Sequence, residues 1–268
     1  MSYGSKAAQR LQDKVILITG ASSGIGEAIA KELAEAAEGK LKFVLTARRK
    51  DKLDSLSKEL TSKYPSVKVY VGQLDVSQVA TIDPFLKSLP KEFAEIDVLV
   101  NNAGLALGRD PVGSMDNQDV HTVFMTNVLG LIAITQAVLP GMLERNKGDI
   151  LMVGSIAGRQ PYQGGGIYCP TKASVRSFTD VLRKELISTR IRVMEIDPGN
   201  VETEFSLVRF KGDAEKAKAV YAGAEPLVAQ DIAEYAVFGL TRRENSVMAE
   251  TLVFPNHQAG PFHVHKET

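Results

Sequence analysis

The sequence predicts an α/β fold: a single doubly wound domain with a mostly parallel seven-stranded sheet and helices on both faces. Short apolar runs alternate with stretches of helical periodicity along the 268 residues, which is typical of βαβ units. The runs are apolar almost throughout rather than at every second position, as expected for strands buried on both faces. In such sheets, ligands bind at the carboxyl ends of the strands.

Seven apolar runs are the strand candidates, at residues 15–19, 41–46, 67–71, 97–101, 150–154, 191–196 and 252–254. Helices are predicted over residues 27–37, 51–63, 118–145, 168–188 and 231–242. In the second helix, Leu53, Leu56 and Leu60 follow a spacing that gives one buried stripe. Since no linker or repeat interrupts the pattern, we expect one domain over residues 12–255, with residues 1–11 and 256–268 as terminal extensions.

The charge balance argues against several classes of partner. Lys+Arg and Asp+Glu both number 32, so there is no electrostatic case for nucleic acid or an acidic membrane surface. No apolar run approaches the length needed to cross a bilayer, and residues 1–14 lack the apolar centre of a secretory signal. The single cysteine, Cys169, suits a reducing compartment. We therefore expect a cytoplasmic protein with no membrane partner.

A glycine cluster, TGASSGIG at residues 19–26, lies between the first strand and the first helix. Its glycines allow a tight turn and close approach of the backbone to a pyrophosphate, and the helix that follows offers its N–H groups. The cluster lacks the Gly-Lys-Ser/Thr of a P-loop, which disfavours nucleotide hydrolysis. The alternative is a βα turn without a ligand. The turn residues expected at a dinucleotide are Gly20, Ser22, Ser23, Gly24, Ile25 and Gly26.

The end of the second strand bears on which dinucleotide is bound. An NAD site usually places an acid there for the ribose 2′-hydroxyl, whereas this strand ends with Arg48 and Arg49. A guanidinium can clamp a 2′-phosphate, and an acid would repel it. NADP is therefore expected over NAD, with Arg48 the first choice, Arg49 the second, and Ser22 or Ser23 assisting. The alternative is a solvated basic start to the next helix.

Ser155, Tyr168 and Lys172 form a candidate catalytic trio. Tyr168 and Lys172 are four residues apart and share one helix face, while Ser155 follows a buried strand. Pro170 is tolerated only in a first helical turn, so it predicts a helix start near Tyr168. A free tyrosine, with a pKa of about 10, is too weakly acidic to serve as a base near neutrality unless a neighbouring ammonium favours its phenolate. The alternative is a core aromatic and a surface cation.

Combined with Asn101, Asn102, Ala103 and Gly104 after the fourth strand, these motifs resemble the short-chain dehydrogenase/reductase family, which has a Rossmann-type fold. The likeness covers about residues 12–255. More narrowly, the sequence resembles the fungal and bacterial NADP-dependent 3-hydroxy acid dehydrogenases. The Tyr-Cys-Pro-Thr-Lys segment departs from the usual family pattern at its proline.

The resemblance implies roles for further residues. Asp75 and Val76 would hold the adenine, although Asp75 could instead cap a helix. Asn101 would lie in the cofactor region, and its motif would partly stabilise the sheet. Asn127 would be a fourth catalytic member that holds a water, unless it is bonded within its own helix. After the turn at Pro198 and Gly199, Val201 and Thr203 would meet the nicotinamide carboxamide.

These expectations define an NADP-dependent oxidoreductase. Tyr168 would exchange the alcohol proton, Ser155 would hold the substrate oxygen, and Lys172 would bind the nicotinamide ribose and lower the pKa of Tyr168. The expected substrates are small 3-hydroxy acids, including serine and L-allo-threonine. The alternatives are a general carbonyl or ketone reductase, a 3-oxoacyl-carrier-protein reductase, and a non-catalytic NADP-binding regulator.

Less specific patterns complete the expectations. Arg159 or Arg209 could neutralise a substrate carboxylate, although surface arginines are the simpler interpretation of both. No residues suggest a metal site, and Cys169 is expected to be a small buried residue rather than a nucleophile. By family likeness, the protein is expected to be a homotetramer.

Overall fold

The computed structural model describes residues 5–266 and contains a seven-stranded sheet in which every neighbouring pair of strands is parallel. The strands are β1 Val15–Thr19, β2 Lys42–Ala47, β3 Lys68–Gln73, β4 Val98–Asn101, β5 Gly148–Val153, β6 Ile191–Pro198, β7 Val201–Glu202, β8 Leu227–Val228 and β9 Glu250–Val253. Their order in the sheet is β3-β2-β1-β4-β5-β6-β9, and β7 and β8 form a separate parallel pair. The chain winds outward in both directions from β1 and β4, so the ligand crevice of this topology lies at their carboxyl ends.

Helices cover both faces of the sheet. They are α1 Ser5–Ala8, α2 Gly24–Ala36, α3 Lys50–Lys63, α4 Ile82–Lys87, α5 Asn117–Phe124, α6 Leu131–Arg145, α7 Tyr168–Glu185, α8 Glu204–Arg209, α9 Ala214–Ala219 and α10 Ala229–Leu240. A π-helical turn, Met125–Gly130, joins α5 to α6.

Two apolar cores hold the layers together. On one face, α2, α3 and α10 pack against the sheet, and the predicted leucine stripe of α3 is fully buried there. On the other face, α4, α6 and α7 form the second core. The α/β architecture predicted from the apolar runs is confirmed, and all seven predicted strands are present with boundaries shifted by at most two residues.

The expectation that no apolar run is long enough to cross a bilayer is wrong. The continuous helical segment Asn117–Arg145 is long and apolar enough, by length and composition, to cross a membrane. This is weak evidence for a membrane span, because the core helices of globular domains pass the same test. Here Ile134, Val138 and Met142 of that segment are buried in the second core, so part of its apolar character serves packing against the sheet.

Arg192 ties the sheet to the end of a helix. Its Nε donates to Asp149 Oδ1 at 2.6 Å, and its terminal nitrogens donate to the last carbonyls of α10, those of Gly239 and Leu240. Lys14 Nζ reaches the other oxygen of Asp149 at 2.8 Å. Burial alone would raise the pKa of Asp149, but Arg192 and Lys14 hold that pKa below its ordinary value. The guanidinium thus neutralises a buried acid and caps a helix C-terminus.

Candidate active site

A cavity of about 720 Å³ lies at the carboxyl ends of the strands. It brings together the glycine turn, the ends of β2, β4 and β5, the start of α7, and α8. The predicted site residues on its wall are Gly20, Ser22, Ser23, Gly24, Ile25, Arg48, Arg49, Asp75, Val76, Asn102, Ala103, Gly104, Ser155, Tyr168, Lys172, Pro198, Gly199, Val201 and Thr203. Three other predicted residues, Gly26, Asn101 and Asn127, do not line the cavity.

The glycine turn is shaped by close backbone contacts. Gly20 has φ +67°, and a Cβ there would lie 2.9 Å from Ala103 Cα. A Cβ at Gly26 would collide with the side-chain amide of Asn102. That amide donates to Thr19 O at 2.9 Å and so joins the ends of β1 and β4. Both glycines thus allow close packing against the loop after β4; Gly20 also lines the cavity, whereas Gly26 lies behind its wall.

Asn101 stabilises the sheet rather than lining the cavity. Its side chain is buried and donates to Thr135 Oγ1 at 2.8 Å and to Met152 Sδ at 3.2 Å. These contacts join β4 to α6 and β5. Of the two roles that the resemblance implied for Asn101, the structure shows contacts for sheet stability only.

The end of β2 forms a polar cluster at one end of the cavity. Arg49 donates to Ser23 Oγ at 2.6 Å and to Ser22 Oγ at 3.3 Å, and it pairs with Glu204 Oε2 at 2.9 Å. Arg48 is exposed on the cavity wall. Two guanidinium groups and two hydroxyls suit a phosphate. Glu204, on α8, is an anionic partner that the sequence patterns did not suggest.

Asp75 both closes a turn and faces the cavity. Its Oδ1 accepts hydrogen bonds from the backbone N of Ser77 at 3.0 Å and from Ser77 Oγ at 2.7 Å. Asp75 and Val76 also line the cavity. Asp75 therefore makes the local turn contact and also faces the cavity, so the two roles considered for it do not exclude each other.

The candidate trio meets at the cavity wall. α7 begins at Tyr168, as Pro170 predicts, and Lys172 lies one turn later on the same face. Lys172 Nζ donates to Val153 O at 2.7 Å and lies 5.9 Å from the centre of the Tyr168 ring. Ser155 follows β5, where its backbone N donates to Asp197 Oδ1 at 2.9 Å. All three trio side chains are buried.

Burial dominates the electrostatics of this trio. It raises the pKa of Tyr168 well above its ordinary value, against the opposing effects of a hydrogen bond with Ser155 and the charge of Arg209. Burial lowers the pKa of Lys172 to about 8, although the nearby carboxyl groups of Glu195 and Asp197 favour its charged form. The Tyr168 phenol therefore stays protonated at neutral pH, whereas the pKa of Lys172 lies close to neutrality.

A buried acid pair lies beneath the trio. Glu195 is fully buried, and neither of its carboxyl oxygens has a hydrogen-bond partner among the described residues. Burial and the neighbouring Asp197 raise the pKa of Glu195 to about 8, so this carboxyl is largely neutral at pH 7. Arg159 pairs with Asp197 at 2.6 Å and with Glu250. Arg159 is thus occupied by two acids, which disfavours the expectation that it neutralises a substrate carboxylate.

Asn127 lies behind the trio, in the π-helical turn between α5 and α6. Its Oδ1 accepts from the backbone N of Leu105 at 2.9 Å, and its Nδ2 donates to Leu105 O at 2.8 Å and to Thr171 Oγ1 at 3.1 Å. All these partners lie outside its own helix, so the alternative of an amide bonded within that helix is wrong. The amide connects the loop after β4 to α7.

Loops and the C-terminal segment close the other end of the cavity. Tyr162, Phe205 and Phe262 line this end, and the Tyr162 and Phe262 rings meet edge to face at 5.6 Å. Arg209 donates to the Tyr162 hydroxyl at 2.9 Å. No motif marked Tyr162 or Phe262, because each lies in an irregular segment that only the fold brings to the cavity. Within residues 5–266, no group of three or more His, Cys, Asp or Glu side chains is placed to hold a metal.

A glycine turn at the switch point of a parallel sheet, with a buried serine, tyrosine and lysine beside it, defines a dinucleotide-binding oxidoreductase. The family model for short chain dehydrogenases matches residues 14–213, and the chain belongs to that family.

Relatives share most of its length. The NADP-dependent 3-hydroxy acid dehydrogenase of Schizosaccharomyces pombe is 57% identical over 96% of this chain and 98% of its own. The NADP-dependent 3-hydroxy acid dehydrogenase YdfG of Escherichia coli (strain K12) is 45% identical over 82% of this chain and 86% of its own. The closed form of serine dehydrogenase complexed with NADP+ has a TM-score of 0.87 and 41% identity, covering 94% of this chain and all of that one.

Proposed function

We propose that the protein is an NADP-dependent oxidoreductase that transfers a hydride between NADP(H) and the hydroxyl-bearing carbon of small 3-hydroxy acids, including serine and L-allo-threonine. The observation that carries this proposal is one continuous cavity with Ser155, Tyr168 and Lys172 on its wall and Arg48 and Arg49 at one end. The names of the relatives support both the cofactor and the substrate class.

The chain's own residues fit NADP. Gly20 has a positive φ and lines the cavity with bare backbone, which suits the close approach of a pyrophosphate. The end of β2 carries no acid, and Arg49 with the hydroxyls of Ser22 and Ser23 supplies donors for a 2′-phosphate. Arg48 adds a second positive charge on the same wall.

The cofactor, when bound, supplies the hydride acceptor or donor and, in its oxidised form, a positive charge. The Ser155 hydroxyl orients the substrate oxygen by a hydrogen bond. Tyr168 passes a proton between its phenol oxygen and that substrate oxygen. Lys172, held by Val153 O, places an ammonium close enough to favour the phenolate whenever Tyr168 has given up its proton. The three side chains that make this exchange are themselves buried.

The test follows NADPH absorbance with serine, L-allo-threonine and 3-hydroxybutyrate for the wild type and Tyr168→Phe. The wild type is expected to oxidise at least one of these acids with NADP, and Tyr168→Phe to lose about 10²–10⁴-fold in kcat, the usual contribution of a general acid–base group. Tyr235→Phe is a matched control, since it removes one phenol oxygen at an exposed position of α10 away from the cavity and should leave kcat unchanged. A wild type inactive on every acid would contradict the function, and an unchanged Tyr168→Phe would contradict the mechanism.

Cofactor choice has its own test. Arg48→Ala and Arg49→Ala are each expected to lower the NADP-to-NAD ratio of kcat/KM, and Lys52→Ala on the exposed face of α3 is expected to leave it unchanged. If neither arginine variant shifts the ratio, the assignment of this end of the cavity to the 2′-phosphate is wrong.

Two further proposals concern the protein as a whole. Large apolar side chains are exposed on several helices, among them Leu143, Val181 and Phe238, and such surface supports assembly into a homotetramer. Light scattering would test this by mass.

The single cysteine is free and buried, which supports a cytoplasmic location, testable by fractionation.

A further inference from the structure

We propose that Arg209 binds the carboxylate of the substrate and thereby sets the preference for hydroxy acids over neutral alcohols. This inference rests on the function proposed above, which names the substrate class without saying which residue recognises the acid group.

The end of α8 places Arg209 beside the reacting groups. Its guanidinium carbon lies 5.9 Å from the centre of the Tyr168 ring and 5.6 Å from that of Tyr162. The residue is half-buried and lines the cavity. A carboxylate two bonds from a carbon whose hydroxyl meets Tyr168 is therefore within reach of Arg209.

The position of this guanidinium is fixed by neutral partners. Its Nε donates to Gly108 O at 3.3 Å, Nη1 to the Tyr162 hydroxyl at 2.9 Å, and Nη2 to Gly164 O at 3.2 Å. Gly108 N donates in turn to Arg209 O at 2.9 Å. Two separate loops thus hold the side chain at the cavity wall without neutralising its charge.

The remaining donors match a carboxylate. A guanidinium has five N–H groups, and these contacts use one on each of the three nitrogens. One N–H is left on each terminal nitrogen, the number required for a two-point contact with two carboxylate oxygens. No carboxylate of the described chain lies within ion-pair distance of Arg209, so its positive charge is left for a ligand.

The other arginines near the cavity are less suited. Arg159 pairs with Asp197 and Glu250, and Arg49 pairs with Glu204 at the opposite, phosphate-binding end. Arg48 and Arg109 line the cavity but are exposed, so water screens their charges. Arg209 alone among these five is both half-buried beside Tyr168 and without an acidic partner in the described part of the chain.

The experiment compares an acid with its neutral counterpart. Oxidation of 3-hydroxybutyrate and of its methyl ester is measured with NADP for the wild type, Arg209→Met, Arg209→Lys and the control Arg109→Met. For the acid, kcat/KM of Arg209→Met should fall by about 100-fold or more, mainly through KM, because a desolvated charge pair loses one partner. For the ester, the change should stay within about threefold. Arg209→Lys, which keeps the charge but not the fork, should lose at least about tenfold on the acid alone.

The outcomes separate this inference from the proposed function. NADPH binding, followed by its fluorescence, checks that each variant is folded. If Arg209→Met does not bind NADPH, the selective loss on the acid is judged from Arg209→Lys. Equal losses on acid and ester would overturn the inference and leave the function standing, as would a selective loss in Arg109→Met instead. A wild type that oxidises the ester but not the acid would overturn the proposed function itself.

Discussion

Replacing Lys172 by methionine should stabilise the protein while abolishing its activity. Burial lowers the pKa of Lys172 from 10.5 to about 8, and this difference corresponds to about 3 kcal/mol of penalty on the charged side chain below pH 8. Methionine has a similar volume and no charge. It forfeits the hydrogen bond to Val153 O, which costs about 1 kcal/mol. The net expectation at pH 7 is a gain of about 2 kcal/mol in the free energy of unfolding.

The pH dependence gives the sharper test. Between pH 8 and pH 10.5 the unfolded chain keeps the Lys172 proton that the folded chain has released, so the wild type gains stability as pH rises through this window. The advantage of Lys172→Met should therefore be full at pH 7 and reduced at pH 9.5. Urea unfolding at both pH values measures it.

Lys184→Met is the control for this prediction. Lys184 lies on the same helix, exposed, in an ion pair with Asp180, so its replacement should change stability by no more than about 0.5 kcal/mol. If Lys172→Met is no more stable than the wild type at pH 7, or if its advantage persists undiminished at pH 9.5, the reasoning from a buried ammonium is refuted.

Three further predictions follow from buried contacts. Gly154→Ala should lower the melting temperature and kcat, since the new Cβ would collide with Asp197; calorimetry and NADPH absorbance would measure both, and an unchanged melting temperature would contradict the contact. Arg192→Met should cost about 3 kcal/mol in urea unfolding, because it leaves the buried carboxylate of Asp149 with Lys14 as its remaining cationic partner, and the loss should shrink at low pH as that acid is protonated. Cys169 is buried and its thiol pKa is raised mainly by burial, so a thiol reagent should modify it far faster in urea than in the native protein; equal rates would show that it is accessible.

The sheet was predictable because each of its strands is a continuous apolar run. β1 matches its predicted range residue for residue, since all five of its side chains are buried and the glycine turn ends it. The helices α4, α8 and α9, each six residues long, were not predicted, because so short a segment shows less than two turns of periodicity. Their position depends on contacts with distant segments.

The candidate site was predictable where a local motif carries the chemistry. The spacing of Tyr168 and Lys172, with Pro170 between them, fixed both the helix start and the shared face. Spacing cannot distinguish residues that face a cavity from those that support it, so Gly26 and Asn101 were assigned to the cofactor, although both lie behind the wall. Ion pairs between residues distant in sequence, such as that of Arg49 with Glu204, could not be predicted from spacing either.

The short helix α8 has a kinetic consequence. Its first residue, Glu204, pairs with Arg49 at the end of the cavity proposed to bind the 2′-phosphate, and its last, Arg209, lies beside Tyr168. A 2′-phosphate bound to Arg49 would compete with Glu204 and so change the restraints on the whole helix. An ordered reaction, in which the nucleotide binds first and leaves last, is the expected behaviour of such a linkage. Redesign of nucleotide preference at Arg49 is accordingly expected to change the KM of the hydroxy acid as well.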